Sequence, residues 1–166
     1  MKTRILVFVS ATSLLLSACL NNSKIDNAAN KNATTVASEN EIKLTDISFA
    51  PAKNYFVKNT VLKLDNPKIE TAVKFNEIFG MATTMGEAGK PTKIDFTTQY
   101  VIACILPETD LMTTIEPVSL QKNPKGEITL SYKSVVGEKQ TFTTIPNFAI
   151  LVNKSENGRI TLKEIK

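Results

Sequence analysis

Cys104 and the acidic group Glu108, Asp110 and Glu116 are the side chains whose types and spacing come nearest to chemistry in this 166-residue chain. Cys104 would serve as a nucleophile only as a thiolate, its pKa lowered by a neighbouring base or a helix N-terminus. The chain has no histidine to do this. Cys104 also lies inside the apolar run Tyr100-Val101-Ile102-Ala103-Cys104-Ile105-Leu106, where a thiol is expected to be buried and inert. Glu108 and Asp110 stand two apart, with Glu116 six further on. Such carboxylates can bind calcium or exchange protons. The spacing lacks the EF-hand alternation of oxygen ligands around a central glycine, so the expectation is three solvated residues in or near a turn. Asp95, between Ile94 and Phe96, reads as a turn cap or a lysine partner, and Tyr100 and Tyr132 read as packing residues. Without histidine a Ser/His/Asp relay is impossible, and metal sites of cysteine and histidine fail on count. Residue types alone leave a Ser-Lys dyad open. The sequence therefore predicts no catalytic residue, no cofactor and no metal, and a protein that is not an enzyme.

The other cysteine, Cys19, stands in a different context. Lys2 and Arg4 precede Ile5 to Leu16, a run of 12 residues that is apolar apart from Ser10, Thr12 and Ser13. That is the charged start and apolar middle of a secretory signal peptide. A bilayer core needs about 20 apolar residues, so this run is too short to span it. The run closes on Leu16-Ser17-Ala18-Cys19, which resembles the lipobox of bacterial lipoproteins at all four positions. The resemblance covers residues 1 to 19. It implies cleavage after Ala18, a diacylglycerol on the Cys19 sulfur, and Cys19 as the mature N-terminus. Small side chains at Ser17 and Ala18 suit an extended chain entering a peptidase cleft. Each buried methylene contributes about 0.8 kcal/mol, so one acyl chain holds marginally and two or more hold firmly. An ordinary secreted protein cut after Ala18 is the alternative.

This anchor changes how the composition reads. The chain carries 20 basic and 16 acidic residues. Cleavage removes Lys2 and Arg4, leaving 18 and 16, a net charge of +2. The pI near 9.0 is thus partly a property of the signal peptide. The remaining lysines are spread along the chain rather than clustered, which argues against nucleic-acid binding. If Cys19 is lipidated, Cys104 has no partner for an intramolecular disulfide.

Residues 19–41 hold the lipidated Cys19 and a stretch of Asn, Ala, Ser, Thr and Lys in which Ile25 and Val36 are isolated hydrophobics. It cannot bury enough apolar surface to offset its ordering entropy, and it reads as a flexible tether of roughly 25 Å root-mean-square reach. Residues 42–166 form a single globular domain by length and pattern. Ile42 to Phe49 suggests a first strand that Pro51 ends. Tyr55-Phe56-Val57 and Val61-Leu62-Lys63-Leu64 look like two short strands. The spacing of Ala72, Phe75, Ile78 and Phe79 predicts one helix over Thr71 to Phe79, with Thr71 as N-cap and Gly80 as the left-handed residue after its end. Met81 to Lys93 reads as a loop. Ile94 to Leu106 is the strongest strand, apolar on both faces and hence central. Ile115 to Gln121, a turn at Asn123-Pro124-Lys125-Gly126, and alternation at Ile128, Leu130 and Tyr132 suggest a meander. Gly137-Glu138 reads as a further turn before an exposed strand at Gln140 to Ile145. Phe148 to Asn153 reads as interior, and Glu156-Asn157-Gly158 as a type I′ hairpin into Arg159 to Ile165. The fold class expected is α+β, a mostly antiparallel sheet of about six to eight strands with one packed helix.

Asn54-Tyr55-Phe56-Val57-Lys58-Asn59, Phe79-Gly80-Met81-Ala82, and Ile94-Asp95-Phe96 through Leu106-Pro107-Glu108-Thr109-Asp110 resemble small uncharacterised lipoproteins of Bacteroidetes-type bacteria. A second likeness, resting on Gln99 to Leu106 and the strands after it, is to the C-terminal domain of lipoproteins associated with a secreted protease complex. Neither carries over a functional residue. The expectation is a lipid-anchored cell-envelope protein, attached to the membrane by the lipid on Cys19, whose domain binds an envelope protein partner. Leu20 stands where enterobacterial lipoproteins retained at the inner membrane have an aspartate. The resemblance therefore implies an outer-membrane location, facing periplasm or cell surface. Two alternatives are an inhibitor or accessory subunit of an envelope protease, acting through Met81 to Lys93, and a carboxylate-dependent enzyme acting on envelope polymers.

Overall fold

A computed structural model describes residues 43–61 and 63–166. The expected signal peptide 1–18 and the expected lipidated Cys19 and tether, 19–41, together with Ile42 and Leu62, lie outside the described residues. In chain order the elements are β1 (Thr45–Asp46), β2 (Ala50–Pro51), β3 (Tyr55–Val57), β4 (Lys68–Ile69), α1 (Ala72–Ile78), β5 (Phe79–Met81), β6 (Gln99–Ile105), β7 (Thr109–Lys122), β8 (Ile128–Thr144), β9 (Asn147–Asn153) and β10 (Ile160–Glu164). The expected α+β class is overturned. The fold is mostly β, with ten strands among the described residues in three sheets and one helix of seven residues.

Strand β6 carries the layering. Its alternate residues Tyr100 and Ile102 pack with Ile150 and Val152 of β9 against Leu120, Ile128 and Leu130 of β7 and β8. Its other face, Val101 and Ala103, packs with Ala149 and Leu151 against Phe75 and Ile78 of α1 and Phe79 of β5. Both faces are thus covered, which is why the run reads as continuously apolar. One sheet has the order β2-β9-β6-β4 and the facing sheet β1-β7-β8-β10. Sheet-on-sheet packing forms one core, and the small β3-β5 sheet with α1 caps the second. Helix α1 is too short to cover the β6-β9 face alone, so it cannot define the class.

Helix α1 begins as the sequence predicts. The Thr71 hydroxyl accepts the Lys74 backbone N–H at 3.2 Å. Its end differs. Phe79 is extended, with φ −111° and ψ 145°, and the chain runs directly into β5. Gly80 is therefore a strand residue opposite Phe56 rather than a left-handed cap. Val61, Lys63 and Leu64 form no strand, and the partner of β3 is β5, reached across the helix.

The meander is also rearranged. Gly137 does not turn the chain, and β8 runs 17 residues through it. β7 begins at Thr109 and pairs with β8 along one long hairpin, so Glu108 alone precedes the strand while Asp110 and Glu116 lie within it. Pro117 removes a ladder donor, and the register shifts by one residue between Pro117 and Ser119, a bulge of the kind that accommodates a strand proline. The turn at Asn123 to Gly126 forms as expected, with Gly126 at φ 82°. The expected type I′ hairpin does not form. Neither Asn157 nor Gly158 has a positive φ, and β10 leaves β9 to pair in parallel with β8 in the facing sheet.

Candidate functional site

Cys104 is buried, about 1% exposed, in a small cluster with Ile115 and Tyr132. Burial pushes its thiol up to about 11, outweighing a hydrogen bond with the Tyr132 hydroxyl that works the other way. A thiol kept protonated at neutral pH is a poor nucleophile. Tyr100 is buried too, its hydroxyl donating to the Glu156 carbonyl at 2.8 Å. Burial and the Glu156 charge raise it to about 12. Tyr132 packs against Phe148, ring centroids 6.0 Å apart.

The carboxylates go to separate partners. Glu108 accepts a short hydrogen bond from the Thr143 hydroxyl. Asp110 forms an ion pair with Lys139 at 2.9 Å, and Glu116 stands opposite Lys133 across the β7-β8 ladder. Asp95 caps the turn before β6. Its carboxylate accepts from the Thr97 backbone N–H at 3.0 Å and from the hydroxyls of Thr97 and Thr98 at 2.5 and 2.9 Å. These bonds, the Thr97 hydroxyl first, hold Asp95 below the usual carboxylate range. Among the described residues no three Cys, Asp or Glu side chains come together as a metal site.

A Ser-x-x-Lys spacing occurs once, at Ser119-Leu120-Gln121-Lys122. On a helix this would stack serine and lysine. In β7 it places them on opposite faces, and Lys122 instead pairs with Glu156 at 3.4 Å.

What the structure does assemble are surfaces. Beyond Pro117 and Tyr132 the β7-β8 hairpin outruns its neighbours, since β1 pairs only with Gln121 and Lys122 and β10 only with Ile128 to Tyr132. Among the described residues no other strand pairs with either edge of this arm. The arm exposes Met112, Val135, Val136 and Phe142, with Val135 65% exposed. Met112 lies over Gly137, where a Cβ would come within 2.9 Å of its Cε, and the ladder shifts register beside it, between Leu111 and Thr113. The chain enters the domain at the far end of β7, where Thr45 pairs with Lys122. From there to Leu111 is about 35 Å of strand, at roughly 3.3 Å per residue.

At the base of the arm an open cleft of about 620 Å³ runs between the end of β3 and the start of the hairpin. Phe56, Asn59, Leu106, Glu108, Thr143 and Ile145 are among its lining residues. Phe56 is 49% exposed, yet its ring is placed, because it lies across Gly80 on the paired strand. A second cleft of about 670 Å³ is lined by Lys63, Lys68, Lys74 and Glu77, of which Lys74 pairs with Glu77 and Lys68 with Glu70 outside the lining.

The Met81 to Lys93 segment is tied to the chain before β3. Asn54, at φ 62°, donates through Nδ2 to the carbonyls of Ala88 and Lys90, each at 2.8 Å. Lys53 N–H donates to the Thr92 hydroxyl at 2.9 Å, and Tyr55 OH to the Thr92 carbonyl at 2.7 Å. Met85 stands fully exposed in it. Sequence reasoning found this segment and the carboxylates but missed the arm and the cleft. The apolar pairs Leu111-Met112 and Val135-Val136 beside a threonine-rich strand were the available signal. Comparison with protein-family models, curated proteins and solved structures finds no match to this chain.

Proposed function

We propose that this chain is a lipid-anchored cell-envelope protein, held through Cys19 and acting as a non-enzymatic binding module. The observation that carries the binding role is the β7-β8 arm, with open edges and exposed Met112, Val135, Val136 and Phe142 at the end remote from the chain's entry at Thr45. Exposed apolar residues on an unpaired strand edge are the features by which proteins add strands from a partner. The separate engagement of Glu108, Asp110 and Asp95, and the buried Cys104, support a role without chemistry. The lipid anchor rests on Leu16 to Cys19. Cys19→Ala is expected to abolish labelling by a fatty-acid probe and to release the domain from membranes; continued labelling overturns the anchor. Pull-down from crosslinked envelopes is expected to recover a specific protein partner, lost when Val135 and Phe142 are both changed to Asp. Recovery of no specific partner counts against the binding role.

The second reading, inhibition of an envelope protease, is favoured by one feature. The Met81 to Lys93 segment is held by Asn54 and Tyr55 and presents Met85 to solvent, as a loop entering a protease cleft must. Deletion of residues 83–91 without loss of inhibition would sink this idea.

A further inference from the structure

The cleft at the base of the arm differs from the rest of the surface in charge. Of its eleven lining residues Glu108 is the one charged group, on a chain where basic residues outnumber acidic ones. Lys58, next in sequence to the lining residues Val57 and Asn59, sends its ammonium away to the Asn76 carbonyl on α1. The Thr143 hydroxyl fixes the Glu108 carboxylate by one oxygen. On the β3 side, the ring of Phe56 is set across Gly80 and half-exposed. A carboxylate and an aromatic face both attract cations. Between them Leu106, Pro107, Val61 and Ile145 supply apolar surface.

Among the described residues the outer edge of β3, beside the cleft, pairs with no strand. β3 and β5 form a sheet of two strands. Asn54 and Lys58 bond toward β5, through Ala82 N to Asn54 O and Lys58 N to Ile78 O. By the alternation of an antiparallel ladder, Tyr55 and Val57 direct their amides to the other edge. That edge can take the main chain of an extended peptide.

We infer that this cleft receives an extended segment of a partner protein, seating a lysine or arginine side chain between the Phe56 ring and the Glu108 carboxylate with apolar neighbours on the cleft floor. The inference rests on the reading of the chain as a binding module. Its volume of about 620 Å³ lies within the usual range for ligand sites, roughly 300–1,000 Å³.

The test uses the purified full chain in detergent and fluorescent octapeptides of alternating leucine and serine, with arginine, glutamine or glutamate at the fourth position. The arginine peptide is expected to bind about tenfold more tightly than the glutamate peptide, a difference of one charge-assisted contact. Glu108→Gln should erase that preference, and Phe56→Ala should weaken the arginine peptide about threefold or more. Glu108 is exposed and Phe56 half-exposed, so a cooperative thermal transition, lowered modestly for Phe56→Ala, should report that the variants are folded. Equal binding of the three peptides, absence of binding, or a preference that survives Glu108→Gln overturns the inference. If arm-dependent crosslinks persist in that case, the cleft alone is refuted and the binding-module reading stands.

Discussion

Phe56 lies across Gly80, and a methyl group at Gly80 would come within 2.4 Å of the Phe56 Cζ. The two face each other in the β3-β5 ladder, so the absent side chain of one makes the seat for the ring of the other. Because the ring is half-exposed it can swing away at small cost. Gly80→Ala is therefore expected to change stability by less than about 1 kcal/mol, with the gain from a stiffer unfolded chain offsetting lost ring contact. It should nevertheless displace the ring. The Gly80 Hα resonances, shifted by the ring current in the native protein, are expected to return toward ordinary values in Phe56→Leu, and the arginine-peptide preference to weaken in Gly80→Ala. A native spectrum without the ring-current shift would contradict this packing.

Gly158 meets a harder neighbour. A Cβ there would sit 2.1 Å from the Gly126 carbonyl oxygen, a backbone atom fixed by the turn at Asn123. The crossing from β9 to β10 depends on this approach, with Ile128 N–H donating to the Arg159 carbonyl at 2.8 Å. Gly158→Ala is expected to cost about 1–3 kcal/mol, the range for forced backbone shifts. Urea denaturation measures it, and a loss below about 1 kcal/mol would show that the two turns do not touch.

Cys104 and Tyr100 make stability fall at alkaline pH. The folded thiol is raised from 9.0 to about 11, so the folded state keeps a proton that the unfolded state releases. Stability is then fully present below pH 9 and declines as pH rises through about 11. At about 1.4 kcal/mol per pH unit, Cys104 removes on the order of 2–3 kcal/mol across that window. Tyr100, raised from 10.0 to about 12, extends the loss upward. Cys104→Ala should flatten the profile between pH 9 and 11. In the native protein at pH 8 a thiol reagent is expected to leave Cys104 unmodified, and to react fully once urea unfolds the chain.

Asp95 acts at the acid end. Its folded pKa lies below its ordinary value of 3.8, so its contribution is present above that value and is lost as pH falls through the folded pKa. Asp95→Asn is expected to show a shallower acid loss of melting temperature below about pH 4 than the parent chain. Identical acid profiles would contradict the turn cap seen at Thr97 and Thr98.

The legible parts of the fold were those whose signal is local. β6 announced itself because both of its faces are buried, and α1 because Thr71 caps it and Phe75 and Ile78 share a face. Gly137 misled because its turn signal is weaker than the pairing of β7 with β8. Asn157-Gly158 misled because the chain changes sheets there, a long-range choice that no dipeptide specifies. The same holds for the site. That Cys104 is buried follows from its apolar neighbours, but the cleft that Phe56 and Glu108 both line depends on β3 pairing with β5 and on the hairpin starting beside it.

The central claim, a tethered module that binds through its arm, is tested most directly by photocrosslinking in intact cells. A photoreactive residue at Val136 or Phe142, both exposed on the arm, is expected to trap the same discrete partner. The same residue at Lys125, in the turn at the opposite end of β7, should not trap it, and Cys19→Ala should diminish the adduct. No adduct from either arm position, or an equal one from Lys125, would contradict the account.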